Sequence, residues 1–367
     1  FRLFSGIIMR HFLIALLLVT TIFAGCVSNE KKIQIEERNI TSPEPYQVFQ
    51  RQADGTANIT ISGIVVSSCN QIDAQLVYLA ADGSELGNET EWEIIVATEK
   101  SAGSTFVGTI NAYAGWFRLE LSYILNDTIV NSTTVSPVGV GEVFITAGQS
   151  NSANHGSTTL TPTDSRVSSW GLDGWQFAED PQPIATGEGG TPWPYMGDLL
   201  AQRYDVPIGL ISVGWGGTSV EQWLPTTATD DLFSRIELAL EEVGPRGVRA
   251  ILWHQGESDL ALETSTEEYA QRLGGVINAS RDVAGWELPW IVARASYLPS
   301  FSNESLALII DAQQLVIDND PLTYEGPYTD DMIGEGWRYD TVHFNEAGLI
   351  EHAIRWDESI VVMMKDL

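Results

Sequence analysis

Two hydrophobic patterns divide the chain. Between Tyr46 and about Pro137, apolar and polar positions alternate in short runs. Asn58 to Val66, Gln75 to Leu79, Trp92 to Ala97, Ser104 to Ile110, Trp116 to Leu125 and Thr128 to Val135 read as strands. Ala81-Asp82-Gly83-Ser84 supplies a hairpin turn. Short strands at this spacing predict a small β-sandwich. From Gly139 onward, compact apolar runs alternate with helical periodicity. Val143 to Ala147, Pro207 to Val213, Val248 to Trp253 and Trp290 to Ala295 read as strands. Pro194 to Tyr204, Asp230 to Val243, a segment capped by Ser265 and running to about Asp282, Asn303 to Ile317, and Glu346 to Met363 read as helices. This alternation calls for a parallel sheet with helices on both faces.

The N-terminal segment follows neither pattern. Met9-Arg10-His11 precedes an almost unbroken apolar run, Phe12 to Phe23, and then Ala24-Gly25-Cys26. A basic start, a short apolar core and small residues before a cleavage point make a secretory signal, with Met9 as its expected start. The run is too short for a comfortable membrane span. Ala-Gly-Cys resembles a bacterial lipobox, although Phe23 stands where Leu is usual. That resemblance implies cleavage before Cys26 and a lipid on its sulfur. The expected organisation is a signal with lipobox over residues 1–26, a polar tether over 27–45, a β-sandwich over 46–137 and an α/β domain over 138–367.

Composition narrows the classes of partner. The 367 residues exceed what most single domains need, and 44% are hydrophobic. Nineteen basic residues against 49 acidic ones give a net charge of −30. Nucleic acid and anionic membrane surfaces require a basic footprint, so neither is expected as a partner. Contact with a membrane would come only through the lipid at Cys26. The chain has two cysteines. With Cys26 lipidated no intramolecular disulfide can form, and Cys69 is expected as a small buried hydrophobe.

Three predicted strands end in polar, glycine-rich turns: Gly148-Gln149-Ser150-Asn151-Ser152, Gly214-Trp215-Gly216-Gly217-Thr218-Ser219 and His254-Gln255-Gly256-Glu257-Ser258-Asp259. In an open α/β sheet such turns meet at the carboxyl edge, where sites are built. Acyl transfer from an ester needs a hydroxyl nucleophile, an imidazole, an acid to orient it and donors for an oxyanion. Ser150 is the nucleophile candidate. Of five histidines, His11 lies in the signal and His352 on the last helix, which leaves His155, His254 and His343 in loops. Asp340 precedes His343 by three residues, a spacing that can set a carboxylate against Nδ1. The Ser150 and Gly216 N–H groups and the Gln255 side chain are candidate oxyanion donors. Gln149, Asn151, Trp215 and Trp337 are candidate substrate contacts, the tryptophans through stacking on sugar rings. A zinc site from His254, Glu257, Asp259 and His343 lacks a second close histidine, so neither metal nor other cofactor is expected.

The ordered set Gly-Gln-Ser-Asn, Trp-Gly-Gly-Thr, His-Gln-Gly-Glu-Ser-Asp and Asp-x-x-His resembles the sialate O-acetylesterase and acetylxylan esterase branch of the SGNH hydrolases, which includes carbohydrate esterase family six. The resemblance covers Gly139 to Met363. It implies a flavodoxin-like three-layer α/β/α sandwich, Ser150 as nucleophile, His343 as base and Gln255 in place of the asparagine of the wider superfamily. Members often carry an added β-domain. Some use the Glu of His-Gln-Gly-Glu as the acid. Glu257 therefore stands beside Asp340 as the alternative, with Asp340 ranked first on its spacing. The expected activity is that of an exported serine esterase removing O-acetyl groups from carbohydrate, of acetylxylan or sialate type. Arg294 and Arg338 are candidate partners for a sialate carboxylate. The rival readings are a lipid or aryl carboxylesterase on the same scaffold and an inactive surface protein that binds carbohydrate.

Overall fold

The structure, a computed structural model, describes residues 39–226 and 232–366. The expected signal segment, Cys26 and the tether up to residue 38 lie outside the described residues, as does the expected helix start at Asp230. Among the described residues no helix is long and apolar enough to cross a membrane.

Nine strands come first: β1 (Ile40–Ser42), β2 (Val48–Gln50), β3 (Thr56–Ile64), β4 (Gln71–Leu79), β5 (Glu85–Glu89), β6 (Glu93–Val96), β7 (Thr105–Tyr113), β8 (Gly115–Leu125) and β9 (Thr128–Gly148). β1, β3 and β7 make one antiparallel sheet. β4 pairs with β5, β6 and β8, and β8 pairs with the first half of β9. Along β3 buried positions alternate with exposed or half-buried ones, as the two-residue period of a strand requires. Its inward Ile59 and Ile61 meet Ile72, Leu76, Leu119 and Leu121 of the facing sheet, the arrangement of a sandwich. Cys69 lies free and buried in the same core. Ile40–Ser42, expected within the tether, instead pairs with the edge of β3.

The expected division at Pro137 falls inside β9. This strand runs 21 residues, and from Val138 to Gly148 every position is buried. Its first half belongs to the sandwich and its second half is the central strand of the α/β layer. Glu142 is the one charged residue of that buried run, at 1% exposure. Arg51 and Arg249 each approach it to 2.6 Å, and Gln50 donates at 2.9 Å. This cluster ties the β2 segment to the central sheet.

The α/β layer continues with β10 (Val167–Gly171), β11 (Gly174–Phe177), α1 (Trp193–Tyr204), β12 (Ile208–Ser212), α2 (Phe233–Val243), β13 (Ala250–His254), α3 (Glu257–Ala261), α4 (Thr266–Ala284), β14 (Trp290–Arg294), α5 (Asn303–Asn319), β15 (Thr323–Tyr328) and α6 (Glu346–Asp366). Strand order is β11-β10-β12-β9-β13-β14-β15, parallel except for the β10–β11 hairpin. From β12 to β15 this is the flavodoxin-like order. Alternate β9 residues face opposite layers. Val143, Ile145 and Ala147 share a core with α2, α4 and α5, whereas Phe144 shares one with α1 and α6. Local sequence starts the helices. Ser265 accepts from the Glu268 N–H while the Glu268 carboxylate accepts from the Ser265 N–H, a capping box at the head of α4.

Candidate active site

The end of β9 sets Ser150 in place. Gly148 has φ +123°, and a Cβ there would lie 2.1 Å from the His254 carbonyl oxygen, so only glycine fits. The Gln149 N–H donates to that same oxygen at 2.9 Å and fixes the turn to β13. Ser150 then opens a single 3-10 turn, Ser150–Ser152. An N–H in that position has no acceptor inside the turn. Ser150 lines a pocket of about 480 Å³ together with Gln149, His155, Trp215, Glu257, Leu298 and His343. Among the described residues no hydrogen bond holds the Ser150 hydroxyl. Catalytic hydrogen bonds often close only once substrate is bound.

His343 enters the same pocket on the loop before α6. Thr341 takes a left-handed φ of +76°, which folds the loop back on Asp340. Asp340 Oδ1 accepts the N–H groups of Val342 at 3.0 Å and His343 at 2.6 Å. Its Oδ2 lies 2.6 Å from His343 Nδ1. One carboxylate therefore shapes the loop and holds the imidazole proton on Nδ1, which leaves Nε2 as the free acceptor. Burial disfavours charge on Asp340, but the hydrogen bonds from His343 and Val342 outweigh it and hold the carboxyl below its usual range. Arg338 clamps the loop from beneath. It is 2% exposed, donates to the carbonyls of Met332 at 2.7 Å, Thr329 at 3.0 Å and Val342, and lies 4.3 Å over the Phe344 ring.

Glu257 is placed elsewhere. It heads α3 and is buried; its Oε1 accepts from Asn151 Nδ2 at 2.8 Å and lies 3.5 Å from His254 Nε2. Burial opposes its charge, yet His254 and Asn151 hold it well below the usual carboxylate range. The carboxylate that lies against His343 is thus that of Asp340, while Glu257 meets Asn151 and His254. Of the four residues of the zinc reading, His343 lies against Asp340, His254 faces Glu257, and Asp259 accepts from the Gln255 amide and the Val220 N–H.

Several expected contacts are corrected. Gln255 is wholly buried and does not line the pocket. Its NH₂ lies 2.6 Å from Asp259 Oδ2, 3.0 Å from the Thr218 carbonyl and 3.2 Å from Gln149 Oε1, so both hydrogens are occupied. The cause is Asp259, one helical turn along, which draws the amide inward. The Gly216 N–H donates to Thr186 Oγ1 at 2.8 Å, an acceptor that can yield it to an oxyanion in the same pocket. Asn151 is 4% exposed and bonds Glu257 and the Val342 carbonyl, so it braces the loops and does not face substrate. Trp337 packs with Met332, Phe344 and Leu349 outside the pocket. Arg338 is committed to carbonyls, and Arg294 pairs with Glu325 at 2.5 Å. Among the described residues no lysine or arginine lines the pocket.

Trp215 does line it, 41% exposed, with the Arg235 guanidinium 4.8 Å from its ring. Gln149 lines it too. Its Oε1 accepts from Gln255 and from the Ser258 N–H at 3.1 Å. The sequence assigns no role to His155 or Thr186. His155 was one of three loop histidines, and its place five residues after Ser150 was the available signal; Thr186 had none.

Chains with this organisation are known. A family model described as carbohydrate esterase, sialic acid-specific acetylesterase, matches residues 140–361. A probable carbohydrate esterase from Arabidopsis thaliana is 27% identical over 227 residues, covering 51% of this chain and 85% of its own. Among solved structures, a carbohydrate acetylesterase from Xanthomonas citri aligns with TM-score 0.54 and 16% identity over 88% of this chain and 74% of that one. An Arabidopsis thaliana protein aligns with TM-score 0.51 and 19% identity over 60% of this chain and 98% of that one. These two likenesses concern the fold. The family match spans more than half of the chain and contains the Ser150, Gly216, Gln255 and Asp340–His343 segments. The chain belongs to the carbohydrate esterase family of sialic acid-specific acetylesterases and is a carboxylic ester hydrolase.

Proposed function

We propose that the protein removes O-acetyl groups from neutral carbohydrate through an acyl-enzyme on Ser150. The observation that carries this reading is His343, its Nδ1 held 2.6 Å from Asp340 Oδ2, lining one pocket with Ser150. Ser150 Oγ attacks the acetyl carbonyl carbon as His343 Nε2 takes its proton. Asp340 holds the imidazolium that forms. The tetrahedral intermediate collapses with loss of the sugar alcohol, which takes the proton back from His343. Water, deprotonated by His343, then attacks the acyl-enzyme; acetate is released as Ser150 Oγ leaves and takes the proton back from His343. The Ser150 N–H is the first oxyanion donor. The second is the Gly216 N–H, passed from the Thr186 hydroxyl to the developing charge. The Gln149 NH₂ takes the place expected of Gln255, because the Gln149 oxygen is already held by Gln255 and Ser258.

Substrate class follows from charge. Among the described residues the pocket is lined by no lysine or arginine and by anionic Glu257, which disfavours a sialate carboxylate, and Trp215 offers a face to a neutral pyranose. The test is a panel of acetylated xylan, an O-acetyl sialic acid and 4-nitrophenyl esters of increasing acyl length. Acetylated xylan is expected to give the highest kcat/KM among the sugars, with rates falling from acetate to butyrate. Preference for the sialic acid overturns the neutral-sugar reading. Faster turnover of butyrate favours the lipid or aryl esterase, for which Ala261, Leu298 and Val342 would form the acyl wall. Export and a lipid at Cys26 belong to the same proposal. Labelled palmitate is expected in the wild type and not in Cys26→Ser; equal labelling would remove the anchor.

A further inference from the structure

His155 has no role in the chemistry above, yet it touches both halves of the site. Its ring lies on that of His343 with centroids 5.4 Å apart and planes 23° from parallel. The Nε2 edge of the ring lies against Gly216. A Cβ on Gly216 would lie 2.6 Å from that nitrogen, so residue 216 is glycine because His155 fills the space a side chain would need. The ring thus stands as a spacer between the base and the Trp215-Gly216-Gly217 turn, and it lines the pocket. The Tyr339 hydroxyl donates to the His155 carbonyl at 3.2 Å and ties the residue to the Asp340–His343 loop.

We propose that the flat face of His155 is a positioning surface for the His343 imidazole. This rests on the reading of Ser150 and His343 as nucleophile and base. Asp340 fixes one edge of His343 through Nδ1, but a single hydrogen bond leaves the ring free to swing about that axis. A flat neighbour at stacking distance removes the swing and keeps Nε2 turned toward Ser150. The face also matters to the charge that His343 acquires, because the electron-rich face of a neutral aromatic ring attracts a cation laid against it. For this His155 must stay neutral. Its Nε2 is buried and has no partner among the described residues. Burial first, and then the charge of His343, press its protonation below the usual histidine range, with Asp340 acting weakly in the opposite sense. The titratable side chains that face it are His343 on the stacked side, with Asp340 and Tyr339 behind on the same loop.

Shape and flatness are separable. His155→Phe keeps a flat aromatic face, and His155→Leu fills similar space without one. Both are assayed for kcat and KM on 4-nitrophenyl acetate, with Ser150→Ala run in parallel. The Phe variant is expected within about threefold of wild-type kcat. The Leu variant is expected to lose about tenfold or more in kcat with KM within about threefold, the signature of a group that acts on the transition state. Equal rates in the two variants, or a loss in both of them, overturns the proposal. Should Ser150→Ala keep its activity, the nucleophile assignment itself fails; should Ser150→Ala be dead while Leu and Phe behave alike, only the role of His155 fails.

Discussion

Replacing Asp340 with Asn probes the loop where shape and chemistry share one side chain. The asparagine oxygen can take the place of Oδ1 and keep the N–H groups of Val342 and His343 satisfied, so the loop should hold. The amide NH₂ then faces His343 Nδ1 where Oδ2 stood at 2.6 Å. Two donors cannot face each other, so the imidazole must carry its proton on Nε2 and present no lone pair to Ser150. In a Ser-His-Asp triad this exchange costs about 10⁴ in kcat. Here the Asp340 and His343 side chains are 39% and 22% exposed, and water can restore part of the productive tautomer. A loss of about 10³ is therefore expected, or about 4 kcal/mol of transition-state stabilisation. Initial rates on 4-nitrophenyl acetate give kcat and KM, and urea unfolding checks that stability stays within about 1 kcal/mol of wild type. KM should change by less than about threefold, since the carboxylate is placed to act on the base and not on the bound ester. An Asp340→Asn enzyme above one-tenth of wild-type activity would refute the assignment. A folded Glu257→Gln that lost more than Asp340→Asn would move the role to Glu257.

Two further predictions concern stability. Asp180 is buried, and its carboxylate accepts from the Leu160 N–H, the Thr191 N–H and hydroxyl, and the Gln182 amide. Burial nonetheless pushes its pKa from 3.8 up to about 6. With the folded value raised, the native state binds more protons between about pH 4 and 6, so this group's contribution is present below that window and lost as pH rises through it, by up to about 3 kcal/mol. Urea midpoints of wild type minus those of Asp180→Asn should fall across the window; parallel curves would contradict the burial argument. At the buried cluster beneath β9, Glu142→Ala removes the anion shared by two arginines whose side chains are 21% and 17% exposed. It should cost about 3 kcal/mol, whereas Arg51→Ala, which leaves Arg249 and Gln50 on Glu142, should cost about 1 kcal/mol. Equal losses by thermal or urea unfolding would show that Glu142 does not anchor the β2 segment.

The elements that sequence reading recovered are those whose cause is local. Ser265 and Glu268 cap α4 from within four residues, and the Asp340-x-x-His343 contact closes inside one turn of chain. Gly148 betrayed the nucleophile turn because only glycine tolerates that approach to β13. What escaped depends on partners distant in sequence. Gln255 was aimed at the oxyanion on the strength of its motif, but Asp259 and Thr218 hold its amide inside. Asn151 was placed on substrate beside Ser150, yet its partner is Glu257, 106 residues away. Pro137 suggested a domain boundary, whereas β9 passes through it because both sheets need that strand. The β10–β11 hairpin turns at Leu172-Asp173-Gly174, with Trp170 opposite Trp175, but strands of five and four residues are too short to show a period of their own. His155 stacks on a ring contributed 188 residues later, and no periodicity reports such a pairing.

The most direct measurement of the central claim is acetate release from acetylated xylan and from 4-nitrophenyl acetate by the wild type and by Ser150→Ala. The account predicts turnover of both substrates by the wild type and a loss of several orders of magnitude in kcat for the folded variant, as expected when the nucleophile of a triad is removed. A Ser150→Ala protein that still releases acetate at a wild-type rate would contradict it, and a wild type inert on every acetylated sugar would return the chain to the reading of a binding protein on an esterase scaffold.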